Sequence, residues 1–82
     1  MDSSTVAEVD ARGLSCPMPL LKAKQALNRV EIGARVRVLA TDPGSERDFN
    51  AFCQMSGHQL LESQQAADGV FCYVLQKAGA RK

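Results

Sequence analysis

Apolar and polar positions recur along this chain at two periods, and the switches between them divide it into six elements. Residues Val6 to Ala11 alternate, with Ala7, Val9 and Ala11 set against Glu8 and Asp10. A period of two is the mark of a strand with one buried face. Arg12-Gly13 ends it. From about Pro17 to Arg29 the period lengthens. Leu20, Ala23, Leu27 and Val30 recur at three- and four-residue spacing, with Ala26 beside them and Lys22, Gln25 and Arg29 opposite. This predicts an amphipathic helix laid on a flat surface. Lys24 falls on the flank of the apolar stripe. Glu31-Ile32-Gly33 makes a turn. Arg35 to Ala40 predicts a second strand, with Val36, Val38 and Ala40 on one face and Arg35 and Arg37 on the other.

Thr41 to Ser45 reads as a second strand-to-helix turn. Asp42 or Ser45 is placed to cap the next helix. Ser45 with Asp48 has the spacing of a capping box, with aspartate in place of glutamate. Phe49, Phe52, Cys53 and Ser56 line one face of that helix, and Gly57 is a natural stop. A third strand is predicted over His58 to Gln64. Asp68-Gly69 is a tight-turn signal. The fourth strand, Val70 to Gln76, alternates Phe71, Tyr73 and Leu75 with Val70, Cys72 and Val74. The tail from Lys77 to Lys82 is expected to fray.

The order β-α-β-α-β-β, with one apolar stripe per helix, predicts an α+β fold. It is a two-layer α/β sandwich: a four-stranded mixed sheet carrying both helices on one face. The other sheet face is expected to be partly solvated. The single domain is placed at residues 5–77, with flexible termini at 1–4 and 78–82.

Composition narrows the function classes. The chain has 82 residues, enough for one small core. A net charge of +1 and only 5% aromatic residues argue against phosphate-driven nucleic-acid binding. No run approaches the ~20 apolar residues that span a bilayer. The polar, acidic N-terminus is unlike a signal peptide. Three cysteines cannot form a complete disulfide framework. Reduced thiols and a cytoplasmic location are expected. One histidine and scattered cysteines give no zinc-like spacing, so neither metal nor cofactor is expected.

Candidate chemistry centres on Cys16-Pro17-Met18-Pro19. Proline is tolerated in a first helical turn. Cys16 is therefore expected at or beside a helix N-cap, where the positive helix end favours thiolate. The competing reading is a small buried residue that starts a helix.

The stretch Asp10 to Lys24 around these residues resembles the N-terminal signature of the TusA/SirA family of small sulfur carriers. Asp42-Pro43 with Arg47-Asp48 and Phe52-Cys53, and then Gly57-His58-Gln59-Leu60-Leu61 with Asp68-Gly69, are similar to further blocks of that family. The resemblance implies the same βαβαββ sandwich. It also implies that Cys16 accepts a sulfane sulfur as a persulfide and passes it to a partner protein. The implied donor is a cysteine desulfurase or a rhodanese. The implied acceptors serve tRNA thiolation, cofactor biosynthesis or sulfur trafficking. The chain departs from the family pattern at Asn50, Thr41 and Met18, where some members carry proline, an acid and glutamate.

Pro17 and Pro19 are expected to stiffen the turn and hold the sulfur outward. Asp42 is expected at the same sheet edge as Cys16, as a site residue or a helix cap. Arg47, Lys22 and Lys24 are candidates for a basic rim, each set against a plain solvated helix face. Cys53 reads as core. Cys72 is expected on the open sheet face, with no helix end or basic neighbour to activate it. The chain is thus expected to be a monomeric sulfurtransferase that binds donor and acceptor proteins, with no direct nucleic-acid or membrane contact. The alternative is a non-catalytic interaction or regulatory module of the same fold.

Overall fold

The computed structural model of the chain describes residues 5–79. Six elements follow in order: β1 (Thr5–Ala11), α1 (Met18–Leu27), β2 (Arg35–Ala40), α2 (Ser45–Ser56), β3 (Gln59–Gln65) and β4 (Phe71–Gln76). The sheet order is β1-β2-β4-β3. β1 and β2 run parallel, and β4 is antiparallel to both β2 and β3. This is the mixed sheet of a two-layer α+β sandwich.

Both helices bury their apolar stripes against the same sheet face. Ala23 and Leu27 of α1 join Phe49 and Cys53 of α2 over Val36, Val38, Ala40, Tyr73 and Leu75. Each of these is almost wholly withdrawn from water. The alternation in β2 and β4 thus divides the inner face from the open one. Arg37 and Cys72 lie on the open side, opposite the covered positions. Phe49 and Tyr73 hold their rings 4.6 Å apart at the centre of the core.

The strand limits shift by at most one residue from those expected, and two helix ends differ in kind. α1 stops at Leu27 because its end tightens: the N–H of Arg29 bonds the carbonyl of Ala26, and that of Val30 bonds Leu27. Such three-residue spacing closes a helix. The predicted capping box at α2 does not form. Gly44 is the N-cap, and no side chain caps the helix. The Ser45 hydroxyl is drawn inward instead, to the Tyr73 hydroxyl at 2.7 Å, in a buried pair. Asp42 contributes only its carbonyl, which accepts from the Ser45 N–H at 3.0 Å. At the other end, Gly57 closes α2 in the left-handed conformation, φ 88°, where glycine carries no side-chain penalty.

The chain beyond β4 is tied down at its start. Lys77 exchanges backbone bonds with Gly33 and Ala34, and its ammonium donates to the Val30 carbonyl. The Ala78 N–H donates to His58 Nδ1 at 2.9 Å. Of the termini expected to be flexible, residues 1–4 and 80–82 lie outside the described residues.

Candidate functional site

Two loops meet at one edge of the sheet. Because β1 and β2 are parallel with Ala11 opposite Ala40, both strands end on the same side. Each then turns toward its helix. The first loop bends at Arg12-Gly13, where the Leu14 N–H reaches back to the Ala11 carbonyl. Gly13 adopts φ 82°, a left-handed value that favours glycine. Its N–H donates to Thr41 Oγ1 at 2.9 Å. Thr41 therefore joins the two loops through its hydroxyl.

Cys16 stands exposed at the end of the first loop. Pro17 is the N-cap of α1, and the N–H of Met18 bonds the Ser15 carbonyl. Pro19 is fully buried, so it anchors the start of the helix in the core. Pro17 is exposed. The two prolines thus differ: one stiffens the surface turn, the other fastens it.

The sulfur does not rest as the expected helix-end thiolate. The Cys16 thiol donates a hydrogen bond to the Asp48 carboxylate, in the first turn of α2. That bond, partial desolvation and the negative charges of Asp48 and Asp42 push the thiol above its ordinary pKa. Arg47 pulls the other way. A nearby carboxylate disfavours a second negative charge, and here it outweighs the helix end. Asp48, expected as a capping-box residue of α2, is the site residue that the sequence did not reveal. Its thirty-two-residue separation from Cys16 carries no local signal.

The remaining expected site residues divide. Asp42 and Arg47 lie close enough to influence the Cys16 charge. Lys24 does not join them. Its ammonium lies 5.4 Å from the centre of the Phe52 ring, bridging α1 and α2 by a cation–π contact. Lys22 faces β1 instead, so the basic rim reduces to Arg47. Arg12 is engaged by Asp10 through two bonds of 2.8 and 2.9 Å, which hold the Asp10 carboxyl down at about 2. Met18 and Leu21, in the first turn of α1, are exposed apolar side chains.

The other thiols have different surroundings. Cys53 is buried between the helices and the sheet, and burial pushes its thiol up. It is a core residue. Cys72 is half-buried on the open sheet face, and it does have a basic neighbour: Arg37 Nε donates to its sulfur at 3.3 Å. Arg37 pairs with Val74, one diagonal step from Cys72, so the antiparallel register brings them together. Among the described residues no group of histidine, cysteine and acidic side chains could hold a metal ion. Nor, among the described residues, is any helix long and apolar enough to cross a membrane.

Comparison with known proteins agrees over nearly the whole chain. The family model described as "Sulfurtransferase TusA" matches residues 7–77. The chain is 45% identical over 71 residues to the sulfur carrier protein TusA of Allochromatium vinosum, covering 87% of this chain and 92% of that one. It is 40% identical over 76 residues to the TusA of Pseudomonas putida, covering 93% and 94%. The crystal structure of a SirA-like protein from Desulfitobacterium hafniense is also similar, with a TM-score of 0.80 and 28% identity. That match covers 90% of this chain and all of the other.

Proposed function

The chain belongs to the TusA family of sulfur carrier proteins, and from that membership we propose that Cys16 carries the sulfur as a persulfide. The observation that supports this reading is the position of Cys16. It is the one exposed thiol, at the meeting point of two loops and at the start of α1.

The step is a thiol–disulfide-type exchange with sulfur as cargo. The Cys16 thiol loses its proton, and the thiolate attacks the outer sulfur of a donor persulfide. The donor's S–S bond breaks, and its cysteine departs as a thiolate. Cys16 now bears the extra sulfur. An acceptor thiolate attacks that outer sulfur, and the Cys16 thiolate is the leaving group. No electrons are gained or lost overall, so neither oxidant nor metal enters. Asp48 accepts the hydrogen bond from the resting thiol and keeps it protonated between partners. Arg47 steadies the thiolate when it forms. A carboxylate is a weak base toward a thiol, so release of the proton goes with the approach of a partner.

The donor is a cysteine desulfurase or a rhodanese, and the acceptor is a further carrier with a reactive thiol. The protein is thus a sulfurtransferase that needs two protein partners for turnover. Its thiols suit the reducing cytoplasm. Intact mass after incubation with a cysteine desulfurase and cysteine, or a rhodanese and thiosulfate, tests the reading. One added sulfur, ~32 Da, is expected, reversed by a thiol reductant. Cys16→Ser should abolish it, and Cys53→Ser and Cys72→Ser should retain it. A mass that never moves with either donor would favour the interaction-module alternative. Sulfur retained in Cys16→Ser would refute the site.

A further inference from the structure

The sheet has two free edges, and they differ. β3 forms one, exposed along nearly its whole length and rich in glutamine. β1 forms the other, and α1 overhangs it. An open groove of about 330 Å³ runs between them. Four consecutive residues, Ala7 to Asp10, form one wall. Neighbouring strand residues point to opposite faces. Four in a row line a groove only where the backbone edge of the strand is the wall. Among the described residues β1 pairs with β2 alone. Among the described residues, no backbone group of Ala7 to Asp10 bonds anything outside that ladder.

The opposite wall is cationic. Lys22 and Gln25 of α1, and Arg29 in the turn just past its end, line the groove together. The acids of β1 are engaged elsewhere. Asp10 holds Arg12, and Glu8 faces Arg37 at 3.8 Å on the open side of the sheet. Among the described residues neither Lys22 nor Arg29 has a carboxylate partner. The groove thus combines an unpaired strand edge with two cations on one side only.

We propose that this groove takes an extended acidic segment of a partner protein, added as a fifth strand to the free edge of β1. Main-chain hydrogen bonds to β1 would hold it, as in other cases of strand addition. Carboxylates on its helix side would meet Lys22 and Arg29. Same-face residues of a strand recur about every 7 Å. Lys22 in α1 and Arg29 just past its end line the same wall, and their long flexible stems let both charges reach successive positions on one face of the segment. The other side of the segment faces Glu8 and Asp10, so acids are excluded there. The segment therefore alternates acidic positions with positions that carry no negative charge. β1 leads directly into the loop that carries Cys16, so a bound segment tethers its protein beside the sulfur. The groove lies outside the sulfur site, and its occupancy does not depend on persulfide chemistry.

The test uses the full chain and an acetylated, amidated octapeptide of alternating glutamate and valine. A glutamine–valine peptide is the control. Amide NMR shifts are followed during titration. The expected result is perturbation centred on Ala7 to Asp10, with slowed hydrogen exchange at those amides. Binding should weaken with salt and with the glutamine peptide. It should weaken at least tenfold in Lys22→Glu with Arg29→Glu, and several-fold in the milder Lys22→Ala with Arg29→Ala. The exchange measurement on the unaltered chain keeps the test valid if either variant folds poorly. Three results would overturn the proposal: no perturbation at millimolar peptide, perturbation centred on β3 or on Met18 and Leu21, or undiminished binding by a folded charge-reversed variant.

Discussion

Cys16 and Cys72 present their sulfurs to opposite charges. Cys16, at the loop edge, donates to the carboxylate of Asp48. Cys72, on the open sheet face, accepts from the guanidinium of Arg37. Judged by neighbours alone, Cys72 has the more activating contact. Yet Cys16 is the exposed thiol, and it lies where two loops and a helix start converge. Access and setting, on which the proposed role of Cys16 rests, therefore separate the two sulfurs more sharply than resting charge does. A carrier also gains from a resting thiol that is not fully ionised. A permanently exposed thiolate is open to oxidation by any passing oxidant. Asp48 holds the sulfur in its less reactive form.

The largest effect should come from removing that hold. Asp48→Asn deletes the leading cause of the raised Cys16 pKa and half of the nearby negative charge, leaving Asp42. The alkylation rate of Cys16 at neutral pH should rise roughly tenfold, the scale on which neighbouring charges act on thiols. The midpoint of its pH–rate profile should move down. Arg47→Gln should move it up, by less. A midpoint unmoved in Asp48→Asn would mean that the hydrogen bond does not govern the thiol in solution.

The support beneath Asp48 offers a second test. α2 begins at Ser45, whose hydroxyl is buried against Tyr73. Ser45→Ala leaves the Tyr73 hydroxyl unpartnered in the core, at a cost of about 1–3 kcal/mol. In a domain of this size that lowers Tm by at least several degrees, since each kcal/mol is worth roughly 4–8 °C. Calorimetry measures it. A capping role, which the sequence pattern suggested, would predict a milder loss that Ser45→Asp restores. A buried role predicts that Ser45→Asp is worse than Ser45→Ala, because it forces a charge inward.

These two residues show what was legible in the sequence and what was not. The stripe of Ala23 and Leu27 and the alternation of β2 and β4 depend only on local period, and the fold follows from them. The common edge of Cys16 and Asp42 follows from two parallel strands. Ser45 and Asp48 also formed a local pattern, and it misled: tertiary partners, Tyr73 and Cys16, claimed both side chains. Lys24 was drawn to Phe52 for the same reason. A helix dipole is written in the sequence at Pro17 and Pro19. The docking of α2 that sets a carboxylate against the sulfur is not. The Arg37–Cys72 contact lies between these cases, since it needs only the antiparallel register.

That contact yields a smaller effect. Arg37→Gln removes the cation beside Cys72. Alkylation of Cys72 should slow by roughly two- to three-fold, in keeping with a single exposed neighbour. Cys16 should be unaffected, because sites this independent usually show additive behaviour. Peptide mapping after timed alkylation resolves the two sulfurs. If Cys16 slowed as well, the loop edge and the open sheet face would be coupled, and the contrast between them would fail.

The smallest effect concerns His58, which closes the domain away from both sulfurs. Its Nδ1 accepts the Ala78 N–H and can do so only when that nitrogen is unprotonated. Burial, and the positive charge of Lys77, lower its pKa below the ordinary 6.5. The unfolded chain therefore binds a proton at His58 before the folded one does. Stability from this group is present above the ordinary histidine pKa. It falls as pH drops from there to the lower folded value, and then levels off. The expected outcome is a shallow loss of Tm over that window, flattened in His58→Gln. Cys16 alkylation, corrected for its own titration, should show no step in the same window. A step there would place the chain end and the sulfur in one cooperative unit, and the loop edge could no longer be treated as a site apart.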